Sequence, residues 1–336
     1  MPSLTLQNGV VFFYTDTGAV PTGDYTTVVI IHGHTFHSGT AAMFTWMPTH
    51  SLCATPYESS VLIAATLKTW LSFAEGNDAD RLILLEQQGR DLAMFVDGLI
   101  LLQSVSNTGG VALVGWSMGV TFLLPLIASI ETLPGATRDR LSAKVHSVVL
   151  LQSPSLALGL PSPPGFLIPH TDPEIAPEAR GPAFAKWVSS YFLHGDLSTR
   201  NIDELTYNNI DALRAPTIET LRPEELFGMA DFGPGDKYDS IVGLPPFAGP
   251  VFKQTSKALF DPTVRKLWSG ARFWTVYGTA EPWNIIYAAW FLEKRLRASN
   301  CPELAINFKV MDGSNHFLVW EDPERAIQEL KECFPV

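Results

Sequence analysis

Short apolar strands that break at glycine turns, a long helix leading into one of them, and the same pattern resuming after a proline-rich interruption predict an α/β protein. Its sheet is expected to be mostly parallel and doubly wound, with an inserted, largely helical cap. The central stretch is Val111–Gly119, VALVGWSMG, where a buried strand runs into a Gly-Trp-Ser-Met-Gly turn. Thr26–Ile31 gives a second β-branched run, ending in His32-Gly33-His34. Arg272–Tyr277 and Leu304–Val310 give two more.

From the N-terminus, Leu4–Tyr14 alternates around Asn8-Gly9 and reads as a hairpin. The stretch Ser38–Ser60 fits poorly, because a doubly wound sheet wants a strand there and FTWMPTHSLCATPY neither alternates nor runs β-branched. Val61–Ala65 is open between strand and helix. From Asp78 to Gln103, Leu82, Leu85, Leu92, Phe95, Leu99 and Leu102 recur at helical spacing. Lys144–Leu151 predicts the strand after the Gly-Trp-Ser turn. Between Ser155 and Pro250 lie 13 of the 25 prolines, mixed with aromatics. That density argues for short elements only, with helices expected at Ala183–Leu193, Asn201–Leu213 and Arg222–Ala230. The core is therefore assigned to residues 1–154 and 265–336, and the cap to 155–264. Helices at Trp283–Arg297 and Pro323–Cys333 complete the pattern.

With 336 residues, 46% of them hydrophobic, the chain can bury a large core. A net charge of −11 argues against nucleic acid as a partner. No apolar run reaches spanning length, since Pro125 interrupts the longest, and the N-terminus lacks a basic-then-apolar signal pattern. Cys53, Cys301 and Cys333 are scattered, with no metal or redox spacing, although Cys301 and Cys333 could pair. These readings predict a cytoplasmic protein, monomer or homodimer, acting on a small molecule with no membrane partner.

A serine hydroxyl is a poor nucleophile at neutral pH and needs a base, which in turn needs a group that fixes its tautomer. Gly-x-Ser-x-Gly alone marks a glycine turn. The strand before Ser117 and the apolar stretch Val120–Ile130 after it supply the context of a nucleophile elbow. Glu281 follows a later strand and His316 the last one, in Asp312-Gly313-Ser314-Asn315-His316. All three fall past strand C-terminal ends, where open parallel sheets place their ligands. Gln152 and Ser153, after the strand that follows the elbow, cannot carry charge, and Asp312 precedes His316 in a tight turn. Glu281 is the expected acid. His32, His34 and His37 give an H-x-H-x-x-H pattern, but Phe36 stands where a metal-binding loop of that type carries an acid, so no metal or cofactor is expected.

On these motifs the chain resembles the α/β-hydrolase superfamily. It is most similar to a set of fungal, mainly basidiomycete, members that share the HG loop, a GWS-x-G elbow, a WVSSYF-like cap segment (Trp187–Phe192) and G-x-NHF (Gly313–Phe317). The resemblance covers nearly the whole length and implies an α/β-hydrolase fold. It also implies an oxyanion hole from the backbone N–H groups of Met118 and of His34, or Thr35. Such relatives carry an extra strand and an arginine-rich turn before the segment matching Ala54-Thr55-Pro56-Tyr57, so a shortened sheet is expected here. Some carry a carboxylate where this chain has Gln152.

The expected function is hydrolysis of an ester or lactone through Ser117, His316 and Glu281. Thr35, Trp116, Trp187, Phe192 and Trp283 are expected to bind an apolar or aromatic substrate. The alternative is an inactive homologue that binds a small apolar ligand, prompted by the shortened sheet and by Gln152.

Overall fold

The structure, a computed structural model, describes residues 2–16, 25–33, 50–55, 75–102, 109–229, 240–243 and 245–334. Its centre is an eight-stranded sheet with spatial order β1-β2-β4-β3-β5-β6-β7-β8. In chain order the strands are β1 (Ser3–Thr5), β2 (Val11–Asp16), β3 (Thr27–Ile31), β4 (His50–Thr55), β5 (Val111–Trp116), β6 (Val145–Leu151), β7 (Arg272–Gly278) and β8 (Asn307–Met311). The pairs from β4 to β8 are parallel, and only the β1–β2 and β2–β4 pairs are antiparallel.

The central strands are β-branched and apolar because both faces are covered. Every residue of β3 and β5 is buried. The helix Asp78–Leu102 packs on one face beside the elbow helix Val120–Ala128, in which all residues but Phe122 are buried. Leu84, Leu85, Leu92, Phe95 and Leu99 supply the buried side of the long helix, while Leu102, expected on that side, is exposed at its end. Asp97 of this helix is buried and takes two bonds from Arg140, at 2.6 and 2.7 Å, and one from Thr137 at 2.8 Å. The charge is thereby paired rather than stranded. A second cluster on the other face joins β5 and β7 to Trp283, Ile286, Phe317 and the cap residues Trp187 and Phe192.

Three sequence expectations are corrected. A strand, β4, does run through His50–Thr55, paired in parallel with β3 and antiparallel with β2. The sheet is therefore not short of a strand there, and one of the two reasons for the ligand-binder alternative falls away. The proline-rich segment also holds a long element, the 16-residue helix Pro245–Phe260. Pro245 and Pro246 sit in its first turn, where an N–H has no intrahelical partner to lose. Pro250 lies inside, and burial of Phe247, Val251, Ala258 and Leu259 offsets its cost. Asn201–Leu213 forms only a 3₁₀ turn at Ile202–Glu204 rather than a helix. The other two expected cap helices form as Arg180–Val188 and Pro223–Met229.

Ala258, Leu259 and Val264, within the segment assigned to the cap, are buried in the same cluster as the sheet and the elbow helix. Cys301 and Cys333 are both free thiols, and burial pushes the Cys333 thiol up to about 12. No helix among the described residues is long and apolar enough to cross a membrane. Val61–Ala65 lies outside the described residues.

Candidate active site

β5 delivers Ser117 to the C-terminal edge of the sheet with φ at 54°. A non-glycine residue in that left-handed region costs about 1–3 kcal/mol and persists only where its surroundings enforce it. The flanking glycines show the enforcement. A methyl group at position 115 would stand 3.0 Å from the Val120 Cα, and one at position 119 would stand 2.1 Å from the Ile31 carbonyl oxygen. Both glycines are thus needed for the elbow helix to fold back against β3 and β5. Met118 lies in the first turn of this helical segment, where backbone N–H groups lack intrahelical partners.

Gly33, just past β3, closes the other side. A methyl group there would meet the Ser117 Cβ at 2.8 Å and its hydroxyl at 3.3 Å. The loop after β3 therefore begins against the serine. His34 and Thr35, the expected second oxyanion arm, lie outside the described residues, as does His37. His32 Nδ1 is 2.9 Å from the Gly33 carbonyl oxygen.

β7 and β8 bring the other two groups. Glu281 is completely buried, and His316 is 3% exposed. The His316 Nδ1 stands 3.4 Å from Glu281 Oε2, at the long end of hydrogen-bonding distance. Glu281 Oε1 accepts the Gly278 N–H at 2.5 Å and the Gln152 Nε2–H at 2.9 Å. Burial pushes the Glu281 carboxyl above its usual range, opposed by His316, the Gly278 N–H and Gln152. The His316 ring stacks on the Trp116 indole at 5.4 Å between centroids, so it packs on the residue next to Ser117. No Ser117–His316 hydrogen bond is formed among the described residues. Bonds of this kind are often long before a substrate is bound. Asp312 turns elsewhere, accepting the Thr279 hydroxyl at 3.1 Å.

The remaining aromatic residues expected at the site are packed along the seam between sheet and cap. Trp187 donates its indole N–H to the Tyr207 carbonyl at 2.9 Å, and Trp283 donates to the Leu167 carbonyl at 3.0 Å. Phe192 packs on Trp187 and gives its backbone N–H to the Ala280 carbonyl. Trp116 donates to Gln152. Each of these four side chains is under one-tenth exposed.

Three residues outside the expected site set hold the Glu281 and His316 loops. Gln152 bridges Trp116, Glu281 and the Asn315 carbonyl. His194 of the cap bonds the Glu281 backbone carbonyl at 2.8 Å. Asn315 donates to the Ser189 carbonyl and to the Thr217 hydroxyl, at 2.9 and 2.8 Å. The sequence signals for Gln152 are its place directly after β6 and the carboxylate that some similar proteins carry at this position. Asn315 lies in the G-x-NHF motif, whereas His194 acts across a separation of 87 residues that no local pattern carries.

No protein-family model and no curated protein matches the chain. Among solved structures it is similar to Est816, described as an N-acyl homoserine lactone degrading enzyme, at 17% identity and TM-score 0.45, covering 98% of this chain and 99% of that one. It is similar to a thermophilic esterase from Thermogutta terrifontis at 14% identity and TM-score 0.45, covering 99% and 97%. A carboxylesterase from Bacillus subtilis matches at 13% identity and TM-score 0.45, covering 99% and 92%. The fold assignment rests on the chain's own strand order, its single antiparallel edge and the strand-to-helix elbow at Ser117: this is an α/β-hydrolase fold.

Proposed function

We propose that the chain is a serine hydrolase that cleaves an ester or lactone of a small apolar or aromatic substrate. The observation that carries this reading is the buried His316–Glu281 pair, set at the same sheet edge as a serine held in the left-handed region. Ser117 Oγ attacks the carbonyl carbon and passes its proton to His316 Nε2. Glu281, at Nδ1, keeps the ring in the tautomer with Nε2 free and stabilises the imidazolium that forms. His316 then protonates the departing alkoxide, leaving an acyl-enzyme. A water, deprotonated by the same ring, releases the acid. The backbone N–H groups of Met118 and His34 stabilise the oxyanion, each worth about 10²–10³ in kcat.

No metal or cofactor enters these steps. The proposal extends to Thr35, Trp116, Trp187, Phe192 and Trp283 as the residues that favour an apolar acyl or lactone group. The similarity to fungal members of the superfamily and a cytoplasmic setting belong to the same proposal. Turnover of a generic aryl ester tests it: Ser117→Ala abolishes turnover while the protein stays folded, and turnover left unchanged refutes the mechanism.

A further inference from the structure

Gln152 sits completely buried at the end of β6 with its backbone at φ 53°. Among non-glycine residues that conformation is uncommon and needs a reason in the surroundings. Its side-chain amide makes three hydrogen bonds, spending both N–H groups and one lone pair of the oxygen. Oε1 accepts the Trp116 indole N–H at 2.8 Å, while Nε2 donates to Glu281 Oε1 and to the Asn315 carbonyl, each at 2.9 Å. An indole N–H can only donate, so the amide oxygen must face Trp116 and its NH₂ must face the carboxylate.

The three partners are not an arbitrary set. Trp116 precedes Ser117, Asn315 precedes His316, and Glu281 is the acid itself. One amide therefore ties together the ends of β5, β7 and β8. We infer that Gln152 is a positioning residue that fixes Ser117, His316 and Glu281 relative to one another and presents Glu281 to His316 as a hydrogen-bond acceptor. This inference rests on the hydrolase reading. A side chain that could not donate at this position would leave both Glu281 Oε1 and the Asn315 carbonyl short of a partner. An ionised carboxylate there would add a like charge beside the acid.

The test compares Gln152→Met, which keeps the length and removes all three bonds, with Gln152→Glu. In Gln152→Met, kcat falls about tenfold to a hundredfold with KM little changed, as expected when reacting groups are displaced rather than binding lost. Glu281, with one donor fewer, becomes the stronger base and holds the imidazolium proton more tightly, so the acid limb of the kcat/KM profile moves to higher pH. Gln152→Glu, while protonated, still accepts from Trp116 and donates to Glu281. It restores activity at the acid end of the profile and loses it again as its carboxyl ionises.

An infrared titration reads the same coupling without substrate. The Glu281 carboxyl band, identified by its loss in Glu281→Gln, gains its proton at higher pH in Gln152→Met than in the wild type. Wild-type kcat, acid limb and carboxyl band in a folded Gln152→Met protein overturn the inference. Should that variant fail to fold, a Gln152→Glu profile identical to wild type overturns it alone. If Ser117→Ala keeps its turnover while the carboxyl band still shifts, the hydrolase reading fails and the hold of Gln152 on Glu281 stands.

Discussion

His194 of the cap donates its Nε2–H to the backbone carbonyl of Glu281 across 2.8 Å, and its Nδ1 accepts the Thr206 N–H at 3.0 Å. The second bond fixes the tautomer, so the ring is neutral and has no place for another proton. Burial holds the His194 pKa below its ordinary value. Between the ordinary histidine value near 6.5 and the lower folded one, the unfolded chain binds more protons, so stability rises with pH there. Thermal unfolding of wild type and His194→Gln at several pH values checks this. The wild type loses more melting temperature on acidification through that window than the variant does.

Glu321 acts with the opposite sign. Burial of its carboxyl, which accepts the Thr217 hydroxyl, pushes it up to about 7. From the ordinary carboxylate range to about 7 the folded protein holds the extra proton, so this contribution is full at low pH and lost as pH rises through 7. Glu321→Gln mimics the protonated form. Its stability gain over wild type is therefore larger at pH 8 than at pH 5, read by urea denaturation at the two values.

Gly33 and Gly119 are constrained by contact. Gly33→Ala sets a methyl group against Ser117, and Gly119→Ala sets one against the Ile31 carbonyl. Both are expected to destabilise the protein by about 1–3 kcal/mol, Gly119→Ala the more because it meets backbone that cannot move aside. Denaturant midpoints give the stabilities. Aryl-ester turnover of the folded fraction gives the activity, which Gly33→Ala lowers by displacing the serine.

Glu281→Gln keeps the size of the acid while losing its charge. The amide can present an N–H to His316 and so favour the wrong tautomer. A loss on the order of 10⁴-fold in kcat is expected, with substrate affinity retained, and steady-state kinetics at neutral pH measure both.

Much of this architecture is legible in local pattern. The elbow strand, the Asp78–Leu102 helix, β7 and β8 announce themselves because each carries an apolar run or apolar residues at a regular spacing. β4 does not, because HSLCAT has little strand preference of its own and pairs with β2 and β3 on either side. The helix Pro245–Phe260 is hidden by prolines whose cost is met by packing against elements far away in sequence. Ser117, Glu281 and His316 could be picked out as candidates because each sits just past a strand. Gln152 and His194 could not, since what defines them is partners 129 and 87 residues away.

Labelling with a fluorophosphonate probe, followed by peptide mass analysis, tests the central claim most directly. One covalent adduct is expected, on Ser117, formed rapidly by the wild type, far more slowly by His316→Ala, and not at all by Ser117→Ala. A folded wild-type protein that takes up no probe at Ser117 would contradict it.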